Sequence, residues 1–288
     1  MPKSLDIEAE LEKGRKLGNK TFIKDDELNI LVVTRGHPFE RDPFFEMIDS
    51  LGFEWSHIEH PAAQTFFKEN QIKPYNAVLF YDMPGLNFDE NPDSQSFFVE
   101  PPEHFKEDFI ARLGDGIGCV FLHHSLAGWP LWEEYSEVIG GKFLYQPSKV
   151  RGVNTPDSGY RHFVNYNVTA VGDHPITSGL EEFKIEDELY LAQIFEDNVT
   201  PILKSDYSFK KSNFYSASNA LDGRLNSNEG WDHEDGSNLI GWTKHYKKSA
   251  ITYLQFGDGV KSYENQNVRN LIRRSISWVV EETLALKL

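Results

Sequence analysis

The chain has 288 residues, 39% hydrophobic and 14% aromatic, which is enough to bury one large core or two modest ones and excludes a disordered chain. Its 29 Lys and Arg stand against 45 Asp and Glu, and the resulting net charge of −16 repels phosphate backbones and anionic lipid, which argues against nucleic-acid and membrane partners. The single cysteine, Cys119, excludes an intramolecular disulfide and fits a reducing compartment, so the expected location is the cytoplasm.

Residues 1–28 read as a helical extension, because Leu5, Ala9 and Leu11 are spaced among charges over 5–17 as on a short amphipathic helix. The segment holds no apolar run of signal-peptide length, and no stretch of the chain approaches the roughly 18 to 20 apolar residues of a membrane span. The Asn-Val-Thr triplets at Asn167 and Asn198 are therefore read as ordinary surface positions. Residues 29–288 read as one α/β domain. The short β-branched run 29–34 predicts a buried strand, followed by a turn and a helix over 43–51. Gly52 stops that helix, and strands are predicted at 53–58 and 76–81. Strands separated by helical segments imply a mainly parallel sheet with helices on both faces.

A polar loop over 84–101 precedes a helix at 102–113, a glycine-studded turn and a strand at 119–122 that ends in His123, His124 and Ser125. The glycines at 114–118 precede a strand, whereas a phosphate-cradling loop needs them between a strand and a helix, so no nucleotide cofactor is expected. A helix at 130–139 closes at Gly140 and Gly141. Short strands follow at 161–171, 199–203, 239–243 and 250–255, then a final helix at 265–284. Residues 205–238 are too polar to be core; loops of such length are usually functional, and this one and 84–101 are read as lids or dimer contacts.

In an open α/β sheet, ligands bind outside the carboxyl ends of the strands. The first strand delivers Arg35, Gly36, His37 and Glu40 there, the third Asp82, and the fourth His123, His124 and Ser125. An imidazole serves as a metal ligand, a general base or a donor to a sugar hydroxyl, so His37, His123 and His124 are candidate catalytic residues. For a divalent metal, zinc, manganese or nickel, the candidate set is His37, His124 and His162; no HExxH or paired CxxC motif fixes it. Asp187 and Glu188 are a candidate acid/base pair, although acids before the apolar Leu189-Tyr190-Leu191 more commonly mark a solvated turn. Arg35, Glu40, Asp82, Ser125, Trp129, Trp231, His233 and Asp258 are candidate substrate contacts, the two tryptophans because they fall in loops where a ring can stack on a sugar. Ser125 lies on a strand-to-helix turn like a nucleophile elbow, but bulky His123 stands two residues before it where a small residue is expected.

Three segments resemble one family. Gly118 to Phe143, GCVFLHHSLAGWPLWEEYSEVIGGKF, has its glycine-led strand, terminal histidine and Gly-Gly-x-Phe close; Asp173 to Tyr190, DHPITSGLEEFKIEDELY, has its His-Pro-Ile-Thr, Gly-Leu and Asp-Glu-Leu-Tyr signature; and Gly241 to Gly259, with Trp278, is similar to its closing strand and last helix. The chain resembles the ThuA-like, or trehalose-utilisation, family over 29–283. That resemblance implies a flavodoxin-like, class I glutamine amidotransferase-like fold, and a small-molecule carbohydrate partner such as a disaccharide or keto-sugar derivative. It further implies a sugar-modifying hydrolase, lyase or isomerase, as a monomer or homo-oligomer, with a non-catalytic sugar- or partner-binding module as the alternative. Gly257-Asp258 replaces the Gly-His of many relatives. Cys119 opens its strand, whereas the amidotransferase nucleophile follows the strand, so glutamine hydrolysis is not expected.

Overall fold

The computed structural model describes residues 28–288, so the helix expected at 5–17 lies outside the described residues. In chain order the central elements are β1 (Asn29–Arg35), α1 (Arg41–Ser50), β2 (Glu54–Glu59), α2 (Ala63–Phe66), α3 (Glu69–Ile72), β3 (Ala77–Asp82), α4 (Glu103–Asp115), β4 (Gly118–Leu122) and α5 (Glu133–Ile139). Then come β5 (Gly159–Ala170), β6 (Phe183–Leu191), β7 (Thr200–Ser205), β8 (Tyr215–Ser216), α6 (Ala217–Leu221), β9 (Leu239–Tyr246), β10 (Ser249–Leu254), α7 (Val260–Glu264) and α8 (Gln266–Lys287). Two short ribbons, Gly141–Lys142 with Gln193–Ile194 and Ser148–Val150 with Val153–Thr155, stand outside the main sheet. Among the described residues, no helix is long and apolar enough to cross a membrane.

Strands β2-β1-β3-β4-β10 lie side by side and all parallel, the flavodoxin-like order. Strands β1, β3, β4 and β10 are buried on both faces and are largely apolar, whereas the edge strand β2, EWSHIE, buries none of its residues fully. Ile30 and Val32 of β1 pack toward Phe44, Met47 and Ile48 of α1 and Val268, Leu271, Ile272 and Ile276 of α8. Leu31 and Val33 face the opposite layer, with Phe105, Phe109 and Leu113 of α4 and Tyr135, Val138 and Ile139 of α5. Helix α8 starts where Asn265 Oδ1 accepts the N–H groups of Asn267 and Val268, and it keeps an apolar stripe at helical spacing.

Beyond β10 the sheet turns antiparallel through β9, β7 and β5, and β5 carries β8 on the same edge as β7 and β6 on the other. The expectation of a polar turn at Asp187 and Glu188 is corrected here. Both lie inside β6, 4% and 3% exposed, because β6 pairs with β5 along nearly its whole length. The polar stretch 205–238 is likewise not an uninterrupted loop: it contributes β8 and α6 and buries Phe209, Phe214 and Trp231.

Candidate functional site

The carboxyl ends of β1, β3, β4 and β10 meet under β6. Gly36, which follows β1, has φ +98°, and a Cβ there would lie 2.0 Å from Met83 O, so only glycine lets the loops after β1 and β3 touch. Gly257, after β10, has φ +128°, and this turn returns Asp258 toward β4. At the end of β4 the chain enters a 3-10 turn, His123–Ala127, and His123 itself takes a left-handed backbone at φ +47°, uncommon for a residue with a side chain.

His123 is the hub. Its Nδ1 lies 2.7 Å from the carbonyl oxygen of Gln255, which can only accept, so Nδ1 carries a hydrogen and donates it. Its Nε2 then faces Glu188 Oε2 at 3.1 Å, the Tyr190 hydroxyl at 2.9 Å and Asp258 Oδ1 at 3.8 Å. Burial opposes a charge on this ring, but the hydrogen bond to Glu188 and the fields of Glu188, Asp187 and Asp258 outweigh it and raise the pKa to about 9. The ring is therefore protonated at neutral pH. The other oxygen of Glu188 lies 3.0 Å from His162 Nδ1, and Asp258 Oδ2 lies 3.9 Å from the same nitrogen. These carboxylates, Asp258 first, raise His162 against its burial, and burial of Asp258 is outweighed by His162, His123 and His37, which hold it low.

A second pair of imidazoles borders the hub in the opposite charge state. His124 stacks on His37, with centroids 4.8 Å apart and planes at 28°, and tilts against Tyr81 at 4.3 Å. His124 is 1% exposed, and among the described residues neither of its ring nitrogens has a hydrogen-bond partner. Burial, then the nearby His123 and His37, hold it well below the ordinary histidine range, and burial and His123 lower His37 as well. One charged imidazole beside two neutral ones is the kind of divergence that separates acid from base in a proton-transfer site.

Asp187 points to the other face of β6, as strand alternation requires. Its Oδ2 accepts from Gly257 N and Ser262 Oγ, both at 2.9 Å, and its Oδ1 from Asp258 N and Glu188 N, both at 3.0 Å. Burial pushes its pKa up to about 6. Its oxygens are thus committed to the turn that carries Asp258, on the face of β6 away from Glu188.

Two cavities border the outer histidines, His37 and His162, and neither is lined by His123, Glu188 or Asp258. One of about 780 Å³ is lined by Arg35, His37, Phe39, Glu59 and the 86–89 segment, and one of about 500 Å³ by Arg161, His162, Phe163, Tyr207 and Tyr215. For a metal ion, the described residues offer one group, His123, Glu188 and Asp258, whose ligand atoms all lie within 4.8 Å of one another. The donor set fits zinc or manganese: one imidazole nitrogen whose ring partner is bonded to a backbone carbonyl, and two carboxylates. His37, His124 and His162 do not form such a group. His162 instead meets Glu188 and Asp258.

The segments that build this hub fall inside the region, residues 29–279, matched by the family model described as ThuA, trehalose utilisation. The chain belongs to the ThuA family. A ThuA-like protein from Parabacteroides merdae ATCC 43184 shares its fold, with 15% identity over 88% of this chain and 90% of that chain and a TM-score of 0.62. A second, from Bacteroides uniformis ATCC 8492, aligns at 16% identity over 90% of this chain and 94% of that chain, with a TM-score of 0.55. A glutamine amidotransferase from Thermotoga maritima aligns at 10% identity over 88% and 98%, with a TM-score of 0.45. No curated protein matches the chain.

In this ThuA-family chain the remaining candidates separate by burial. Ser125 is fully buried and its hydroxyl bonds Asp82 Oδ1 and Phe80 O, each at 3.1 Å, while the other Asp82 oxygen lies 2.9 Å from His60 Nε2. Asp82 thus stands between serine and histidine, and the serine-to-imidazole bond of a hydrolase is not made. Trp129, 4% exposed, packs edge-on to His60, and Trp231, 9% exposed, donates its indole N–H to Asp157 O, so both are core and neither offers a stacking face. His233 bonds Glu234 O at 2.7 Å and packs on Trp231. Arg35 and Glu40 stay exposed beside the His37 loop, Arg35 within 3.9 Å of Glu59. Cys119 is fully buried inside β4, and burial pushes its thiol far up. Sequence reading missed Tyr190, Gln255 and His60. Tyr190 had a usable signal, since in a strand it shares a face with Glu188 two residues before it.

Proposed function

We propose that this ThuA-family chain is an enzyme that moves a proton on a carbohydrate, a disaccharide or its keto-sugar derivative, at the centre formed by His123, Glu188, Asp258 and His162. The observation that carries the reading is His123 itself. It is a fully buried imidazole whose Nδ1 is bonded to a carbonyl and whose Nε2 hydrogen points at two carboxylates, and those carboxylates also face His162, which lines a cavity. Protonated His123 is a suitable acid toward a sugar oxygen, while Asp258, held ionised and 20% exposed, is a suitable base. His162, 40% exposed and paired with Glu188, links the pair to solvent. Tyr190 orients the His123 ring and adds a hydroxyl to the same spot. With the Nε2 hydrogen released, His123, Glu188 and Asp258 are instead the residues that would hold a divalent ion, which would replace the protonated ring in polarising a hydroxyl or carbonyl oxygen. The trehalose-utilisation description of the family supports a sugar as substrate class.

The test incubates the purified chain with trehalose, sucrose and their keto derivatives and follows the sugars by NMR, with metal content measured before and after chelation. The expected result is conversion that falls about 10³-fold in Asp258→Asn, within the range of acid/base catalysis, with thermal unfolding much less affected because Asp258 is partly exposed. Saturable binding without conversion would establish a non-catalytic sugar-binding module instead, and neither binding nor conversion would remove the carbohydrate reading.

A further inference from the structure

The β5–β6 ladder is broken once, and the break lies beside the hub. Arg161 pairs with Leu189 and Val164 with Asp187, so His162 and Phe163 together oppose the single Glu188, which is a β-bulge. The two bulge residues diverge. His162 turns to Glu188 at 3.0 Å, whereas Phe163 takes a left-handed backbone at φ +56° and leaves its side chain 78% exposed. A left-handed conformation is unfavourable for a bulky residue, and an exposed ring adds little to the core, so folding does not explain a phenylalanine at this position.

The surroundings of Phe163 explain it as a contact for something else. It borders the cavity of about 500 Å³ whose wall includes Tyr207 and Tyr215, with Arg161 4.4 Å over the Tyr215 ring and Asn165 and Asn226 at the edge. An aromatic ring presented to solvent beside planar amide and guanidinium donors matches the two surfaces of a pyranose, an apolar C–H face and a rim of hydroxyls. Resting on the carbohydrate reading above, we propose that the bulge is a sugar subsite. Phe163 provides the stacking face for one ring of a disaccharide, Arg161, Asn165 and Asn226 receive its hydroxyls, and His162 joins the subsite to the His123 centre.

The test is calorimetric titration of the full chain with trehalose, sucrose and the keto derivatives of each, for wild type, Phe163→Ala, Phe163→Gly and Phe163→Tyr. The subsite requires that at least one disaccharide bind the wild type. Loss of the ring in Ala and Gly then weakens binding about fivefold or more, as expected for an aromatic stacking contact, and Tyr retains it. Phe163→Gly serves as the folding control, because it relieves the left-handed backbone and its thermal unfolding temperature should equal or exceed that of wild type. Disaccharide binding unchanged in the Ala and Gly variants overturns the subsite and leaves the proposed function standing. Absence of saturable binding to the wild type removes both.

Discussion

A buried imidazole that stays charged at neutral pH needs its compensating charges in the same dry space, and His123 has them in Glu188 and Asp258. Because its folded pKa, about 9, lies above the ordinary 6.5, protonation favours the folded state. That contribution is complete below about pH 6.5 and is lost as pH rises through 9. Chelator-treated wild type should therefore lose thermal stability from pH 6.5 to 9, while His123→Gln shows a shallower dependence; parallel curves would show that another group titrates. Tyr190→Phe removes one hydroxyl from the same nitrogen and should cost about 1 kcal/mol of stability in denaturant unfolding, the usual worth of one hydrogen bond. These neighbours come from three separated stretches, near 123, 188 and 258, so spacing alone could nominate them but not join them. His124 shows the converse: it sits beside His123 in sequence, yet burial holds its pKa well below the ordinary range, it stacks on His37, and among the described residues its ring nitrogens meet no hydrogen-bond partner.

At the scale of elements, β6 and the turn after β10 act as one unit through Asp187. Its carboxylate holds the N–H groups of Gly257 and Asp258 in the turn, that of Glu188 and the Ser262 hydroxyl, so Asp187→Asn places an amide against donors it cannot fully accept. The expected cost is about 3 kcal/mol in unfolding, with faster hydrogen exchange at Gly257 and Asp258; protection equal to wild type would show that the turn stands without Asp187. Gly36→Ala tests the other approach in the site. A methyl 2.0 Å from Met83 O has no room, and the variant should lose more than about 2 kcal/mol of stability. The parallel strands were legible because each is a local apolar run bounded by turn residues. The strand β6 was not, because its inward residues Asp187 and Glu188 are charged, and charge in a sequence ordinarily signals solvent. Two residues opposing one in the β5–β6 ladder had no sequence signal, since a bulge is a relation between two strands.

Across the whole molecule, the inner parallel strands β1, β3, β4 and β10 bury both their faces and leave Cys119 with no exposed surface. The thiol should resist alkylation in native buffer and react fully once the chain is unfolded by guanidinium; rapid labelling of the native protein would show an opening of the β3–β4–β10 core. The amino-acid sequence by itself determined the α/β class, the parallel order of elements with helices on both faces and the ThuA family, because periodicity, capping residues and motifs are properties of contiguous chain. It also placed His37 and His123 at strand ends. Only the tertiary structure decided which polar residues meet. It joined Glu188, Tyr190, Asp258 and His162 to His123, turned Asp187 to the turn it anchors, and withdrew Trp129, Trp231 and Ser125 into the interior. The physical reason is that burial and charge state depend on neighbours brought in by long-range strand pairing, which no local pattern encodes.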